Sequence, residues 1–258
     1  MDARVTRISI APVKGLGLQH PDAVELTARG VRENRRLHLV DGAGRPVNGK
    51  TRIQLMQVAT AVDLDAGTLV LRFPEGYEVT GPLTRGARES TDFYGRTVGG
   101  HVVEGPFATA LSEWAETDLR VVMSDEIGAS SDRGDEGSIS IVSAASVADV
   151  ARHGGADELD ARRFRMLFEV DGVEPYAEDT WLGRDVRIGD ATVRPLGNVG
   201  RCVITTCHPD TTERDFDTLG VLATYRREIE TTEPLPLGVA GCVVSPGRVR
   251  VGDPVTLL

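Results

Sequence analysis

Three residues close together in this sequence have the chemistry to bind a soft metal or to attack sulfur: Cys202, Cys207 and His208. Cys202 follows Arg201 and the turn-like run Gly197-Asn198-Val199-Gly200. Positive charge beside a thiol favours the thiolate, the form that ligates metals and acts as a nucleophile. A structural zinc site usually needs four ligands with paired cysteines. Here four residues separate Cys202 from Cys207, and the third cysteine, Cys242, makes no second pair. The plainer reading is a strand, Arg201-Cys202-Val203-Ile204-Thr205-Thr206, with its cysteine serving as a small hydrophobe. His20, His38, His101 and His153 are scattered singly, as surface or satisfied core histidines are. Gly15-Leu16-Gly17 lacks the third glycine and the βαβ setting of a dinucleotide fingerprint. Walker A, HExxH and GxSxG patterns are absent.

The elements that would position these residues are mostly short strands. Val5 to Ile10, Leu37 to Val40 and Thr68 to Phe73 alternate at period two, with turn chemistry at Asp41-Gly42-Ala43-Gly44 and Asp65-Ala66-Gly67. Gly105-Pro106 predicts a helix from Phe107 to Glu116, because proline suits a first helical turn. A strand, Leu119 to Met123, follows. The polar stretch from Ser124 to Gly137 is the expected junction between two halves. Beyond it come a strand, Ile139 to Val142, and a helix, Ala144 to His153, capped by Ser143. A third helix is expected over Asp217 to Ile229, with Arg226-Arg227 favouring its C-terminal dipole. Strands close the chain at Val239 to Val244, Arg248 to Val251 and Val255 to Leu258.

Composition narrows the function classes. The 29 Gly and 13 Pro among 258 residues, with only 12 aromatics, suit turn-linked strands more than a helical bundle. A net charge of −10 argues against generic binding to nucleic acid or to an anionic membrane, since phosphate attraction needs a basic surface. A small anion in a local basic pocket is still allowed; Lys14 and Lys50 are the two lysines among 29 basic residues. Three cysteines imply no disulfide framework. Met1-Asp2-Ala3-Arg4 lacks a signal-peptide layout, and no run approaches the roughly 20 apolar residues of a membrane span. The expectation is a soluble cytoplasmic protein with no membrane or nucleic-acid partner.

Several segments, in order along nearly the whole chain, resemble the MOSC family, whose domains are similar to the C-terminal part of molybdenum-cofactor sulfurase. In particular they resemble members with an N-terminal β-barrel, the mitochondrial amidoxime-reducing component and YcbX-like proteins. Ala11-Pro12-Val13-Lys14-Gly15 looks like the family's "YPVKS", followed by Gly30-Val31 and by Arg36-Leu37-His38-Leu39-Val40. Ser143-Ala144-Ala145-Ser146 resembles "SEAS", and Arg163-Phe164-Arg165 resembles "NFRPN". Tyr176 to Trp181 with Ile188-Gly189-Asp190 resembles "YAEDSW…IGD". Arg201 to Thr206, Pro209-Asp210-Thr211 and Val251 to Val255 complete the likeness. The resemblance implies a mixed α/β, mostly β fold: an N-terminal β-barrel-like domain over residues 1–125, and a MOSC β-barrel with a few peripheral helices over 126–258.

The resemblance also implies a molybdenum cofactor (molybdopterin) with Cys202 as metal ligand and catalytic centre. Lys14 and Arg36 would hold its phosphate, Arg165 and Asp135 would contact the pterin, and Arg201 would supply neighbouring positive charge. Glu178, Asp179 and Trp181 read as fold support. Four departures stand out. Gly15 replaces a hydroxyl residue, Met166-Leu167 replaces Pro-Asn, Val199 replaces the first cysteine of "CxRC", and Cys207-His208 replaces part of "VDP". The implied activity is two-electron or oxygen-atom transfer on a small, N-hydroxylated substrate. A [2Fe–2S] cluster takes four cysteines and the chain has three. Electrons would therefore come from a separate ferredoxin- or flavoprotein-like donor. The alternatives are a sulfur-transfer protein using Cys202 as persulfide or acceptor thiol without molybdenum, and a non-catalytic carrier of the cofactor.

Overall fold

The computed structural model describes residues 3–128, 133–231 and 233–258; residues 129–132 of the expected junction lie outside them. The chain divides into two compact units, and the division is not one cut along the sequence. Ile10–Gln19 and Arg32–Gly134 form one unit; the residues up to Ser9, His20–Val31 and Asp135–Leu258 form the other.

In the unit built mainly from Arg32–Gly134, a five-stranded sheet runs in the order Pro46–Val47, Leu37–Asp41, Leu119–Ser124, Arg96–Glu104, Thr84–Phe93. All its pairings are antiparallel. Its long hairpin turns at Tyr94-Gly95, both at positive φ (57° and 92°), the geometry that matches the twist of antiparallel strands. A three-stranded meander, Ala59–Asp63, Thr68–Arg72 and Glu78–Pro82, lies in the same unit. Helix α1 (Phe107–Ala115) buries Phe107, Ala110, Leu111 and Ala115, one stripe at helical spacing. That stripe belongs to a core with Leu16, Leu37, Leu39, Leu55, Leu69 and Leu71.

The other unit is organised by a seven-stranded sheet in the order Arg4–Ile8, Phe168–Asp171, Ile139–Ser143, Pro236–Ser245, Ala191–Gly200, Val186–Ile188, Val255–Leu257. Its two edges meet. Arg4 bridges Pro254, Val5 N donates to Asp253 O (3.0 Å), Gly252 N to Val5 O (2.7 Å) and Val255 N to Ala3 O (2.8 Å). These bonds join the first strand to the last and leave the barrel little exposed edge. Ile139–Ser143 and Phe168–Asp171 run parallel, which requires a crossover, and helix α2 (Ala144–His153) lies within it. Ser143 ends its strand and caps α2, its side chain accepting from Ser146 N at 3.0 Å.

Two local expectations are corrected here. Helix α3 spans Thr218–Tyr225, capped by Asp217, and stops short of Ile229. Arg226 does not serve the helix dipole: it is buried, its Nε donating to Pro236 O (2.8 Å) and its Nη2 to Asp179 Oδ2 (2.6 Å), with the guanidinium 4.1 Å over the Tyr176 ring. The expected strand Arg201–Thr206 is also absent. The run 197–200, read as a turn, is the end of the strand Ala191–Gly200, and Val203–Thr206 forms a 3-10 turn. Thr205 Oγ1 donates to Cys202 O (2.9 Å) and Thr206 Oγ1 to Val203 O (2.7 Å), so hydroxyls of β-prone residues hold a tight turn in place of a ladder.

Candidate functional site

Arg201 and Cys202 have opposite environments. Arg201 is 8% exposed and its guanidinium is sunk among three segments. Nη1 donates to Phe164 O (3.1 Å), Nη2 to Leu237 O and to Met166 Sδ, and the group lies 5.2 Å over the Phe164 ring. Cys202, in extended backbone at φ −131° and ψ 174°, is half-buried, and no described hydrogen bond engages its sulfur. Alternating side-chain direction along extended backbone accounts for one neighbour entering the core while the next stays accessible.

The turn that carries the thiol is braced from below. Arg163, 2% exposed, donates through Nη1 to Thr205 O (3.0 Å) and Asp215 Oδ1 (3.1 Å), and through Nη2 to Asp215 Oδ2 (3.0 Å). Thr218 Oγ1 adds a bond to the same Thr205 carbonyl at 2.6 Å. Arg162 makes a bidentate pair with Asp210 (2.9 and 2.7 Å) and also holds Asp160. Burial would raise the Asp160 carboxyl, but its hydrogen bonds from Arg162 outweigh that and hold it below the usual range. Arg165 is the residue that ends this 3-10 turn, Ala161–Phe164, in the left-handed region at φ 54°. The Cys202 loop and the Arg165 turn are thus bolted together by buried and bidentate arginines.

The remaining sequence-derived residues of this unit fare differently. Asp135 is exposed and accepts from Arg29 Nε at 3.1 Å. Leu167, standing where the family has an amide, is 1% exposed in the core, and Met166 receives Arg201. Cys207 is buried, its backbone bridged to Arg214. His208 Nδ1 accepts from Asp210 N (3.2 Å) and Thr211 N (3.4 Å), which is a turn-closing role.

In the other unit, Lys14 and Arg36 come from adjoining segments. Leu37 N donates to Pro12 O (3.0 Å), Lys14 N to Leu37 O (2.7 Å) and Arg35 N to Ala11 O (2.7 Å), with Val13 bridged in parallel to Leu37. Arg36 is 5% exposed; Nη1 donates to Ser124 O and to Glu126 O (2.6 Å), while Nε is buried without a hydrogen-bond partner among the described residues. Burial first, and then the charge of Arg85, lowers the guanidinium from its ordinary value. The Lys14 ammonium stands 5.6 Å over the Phe93 ring. Gly15 sits at φ +91°, and a Cβ there would come 2.9 Å from Asn48 Cα, so this backbone rejects the hydroxyl residue of the family motif. Phe93 carries no functional signal in the sequence, and His38 and Arg163 appear there only as parts of longer segments. Phe93 lies 79 positions from Lys14, and Arg163 reads there only as part of the segment Arg163-Phe164-Arg165.

Comparison with known proteins identifies two successive domains along the chain. Residues 130–256 match the MOSC domain and residues 2–118 the MOSC N-terminal beta barrel domain. The chain is similar to mitochondrial amidoxime reducing component 2 of Bos taurus, 27% identical over 281 positions that cover 97% of this chain and 82% of that one. It is similar to mitochondrial amidoxime-reducing component 1 of Homo sapiens, 34% identical over 125 residues, which cover 46% of this chain and 36% of the relative. A shorter match, 36% over 72 residues, links 27% of the chain to 8% of the molybdenum cofactor sulfurase of Oryza sativa subsp. japonica. With the two domain matches following one another along its length, the chain belongs to the MOSC family, an N-terminal MOSC β-barrel domain followed by a MOSC domain.

Proposed function

We propose that this chain binds a molybdenum–pterin cofactor through Cys202 and acts as an oxidoreductase on a small, N-hydroxylated substrate. The observation that carries the reading is the Cys202 loop: a half-buried cysteine whose sulfur has no described hydrogen bond, on a turn held by buried hydrogen bonds from Arg163 and Thr218 to the Thr205 carbonyl. Among the described residues no three His, Cys, Asp or Glu side chains gather to hold a metal ion. A single soft thiolate suits a metal whose other ligands arrive on an organic cofactor. On the phosphate side, the buried Nε of Arg36 is a donor that an anion's oxygen would satisfy, and Lys14 adds a charge from the adjoining segment.

When bound, the cofactor supplies the change of oxidation state that side chains cannot provide. The chain's own residues anchor and orient. Lys14 and Arg36, in their own unit, would offset the charge of a phosphate; Cys202 would hold the metal and Arg165 would contact the pterin. Asp135 would join it by giving up an exposed pair with Arg29, worth about 1 kcal/mol or less. Arg201 has a different task in this reading: it fixes the backbone from which Cys202 projects. Electrons come from a separate ferredoxin- or flavoprotein-like donor, since three cysteines are one short of a standard cluster. The substrate class follows the amidoxime reducing components to which the chain is similar.

Turnover of an N-hydroxylated compound by the molybdenum-loaded chain with an added electron donor tests the activity. Loss of turnover in Cys202→Ala, with the fold intact by circular dichroism, is the expected result. A labile persulfide on Cys202 and no molybdenum would instead establish sulfur transfer, the reading favoured by the shorter match to a molybdenum cofactor sulfurase. Bound molybdenum without turnover of any N-hydroxylated compound would establish a carrier.

A further inference from the structure

We propose that Phe93, steadied by His38, is a positioning residue for Lys14, its ring carrying the ammonium at the point where a phosphate group is taken up. The inference rests on the reading that Lys14 holds a phosphate. Phe93 closes the strand Thr84–Phe93 and is 2% exposed, so its ring is fixed by packing. Lys14 Nζ lies 5.6 Å from the ring centroid, inside the range at which an aromatic face attracts a cation.

The ring is in turn wedged by His38, whose imidazole meets it edge-on at 5.1 Å and 76°. His38 is fully buried on the strand Leu37–Asp41, and its Nε2 is hydrogen-bonded to the equally buried Thr91 Oγ1 at 2.9 Å. Its Nδ1 is buried without a hydrogen-bond partner among the described residues. Burial, and then the charge of Lys14, pushes His38 down to about 4, so the imidazole is neutral near pH 7 and does not compete with Lys14 as a second cation. Lysine is a point charge on a flexible four-carbon stem. An aromatic face limits that freedom. Phe93 and Lys14 are far apart in the sequence, and the hairpin turned at Tyr94-Gly95 ends the strand at the ring.

The test is a double-mutant cycle, Lys14→Met and Phe93→Leu singly and together, on the full chain from a host that makes no pterin. Titration with inorganic phosphate at low ionic strength reads the dissociation constant. Phe93→Leu is expected to weaken phosphate about three- to tenfold, the scale of one partly desolvated cation–π contact. In the Lys14→Met background the same change is expected to have no further effect. A merely structural role for Phe93 would weaken binding equally in both backgrounds, and that outcome overturns the proposal, as does wild-type affinity in Phe93→Leu. Phe93→Met, similar in volume and without a ring face, should behave like Phe93→Leu and serves where the latter folds poorly. If Lys14→Met alone binds phosphate like the wild type, the phosphate reading fails and the proposal falls with it. If Lys14→Met weakens binding and Phe93→Leu does not, the phosphate reading survives and only the positioning role is lost.

Discussion

Adjacent residues do unlike work at the heart of this molecule. Arg201 spends its guanidinium on the carbonyls of Phe164 and Leu237 and the sulfur of Met166, while Cys202 keeps an accessible thiol. Arg201→Met removes the donors and leaves those buried carbonyls unsatisfied, which is expected to cost about 2–3 kcal/mol in urea unfolding. Unchanged stability would contradict the clamp. A second residue with a readable signature is His38. With its folded value near 4 and an ordinary value of 6.5, the unfolded chain binds the proton more readily between those limits. Stability should therefore fall as pH drops from about 6.5 to about 4 and level off below, a loss of about 3 kcal/mol from this group. Chemical denaturation across that window should show a shallower slope in His38→Gln than in the wild type.

At the scale of elements, helix α2 and the 3-10 turn Ala177–Trp181 are tied by buried polar groups. Glu178 is fully buried and accepts from Ser143 N (3.1 Å) at the start of α2, and burial pushes its carboxyl above the usual range. Its folded value exceeds its unfolded one, so the stability it contributes is present in acid and is lost as pH rises through the folded value. Glu178→Gln keeps an acceptor without the charge. The variant's thermal midpoint, relative to wild type, should rise as pH increases from 5 to 8; a constant difference would show that the group does not titrate there. Some of this was legible in the sequence. Ser143 reads as a cap because a hydroxyl before an apolar-periodic run is what a helix start needs, and Glu178, Asp179 and Trp181 read as support. The turn at Cys202 was not legible, because its threonines favour strands until their hydroxyls bond back onto the chain. Nor was the end of α3, which depends on Asp179 and Pro236 drawing Arg226 inward.

At the scale of the whole molecule, a mostly β, two-part fold follows from alternating strands and abundant glycine, yet the way the parts are assembled does not. Residues 3–5 close a barrel against residues 252–255, and His20–Val31 joins the unit of the C-terminal half. Such pairings cost loop closure across nearly the full chain and leave no local pattern. Asp135, expected near the pterin, meets Arg29 from 106 residues away. Net charge belongs to this scale too. At −10, the chain should attract a donor protein with a basic face, so kcat/KM for reduction by that donor is expected to fall as ionic strength rises. A rate that climbs with salt would point to an acidic docking partner instead.

The central claim is that Cys202 is the anchor of a bound molybdenum cofactor, and metal content tests it without depending on any substrate. Wild-type and Cys202→Ala protein, purified in parallel from cells supplied with molybdate, would be assayed by inductively coupled plasma mass spectrometry, with Cys207→Ala as control. Near-stoichiometric molybdenum in the wild type and the control, with loss of most of it in Cys202→Ala, is the expected result. Equal molybdenum in Cys202→Ala, or none in folded wild-type protein, would contradict the account.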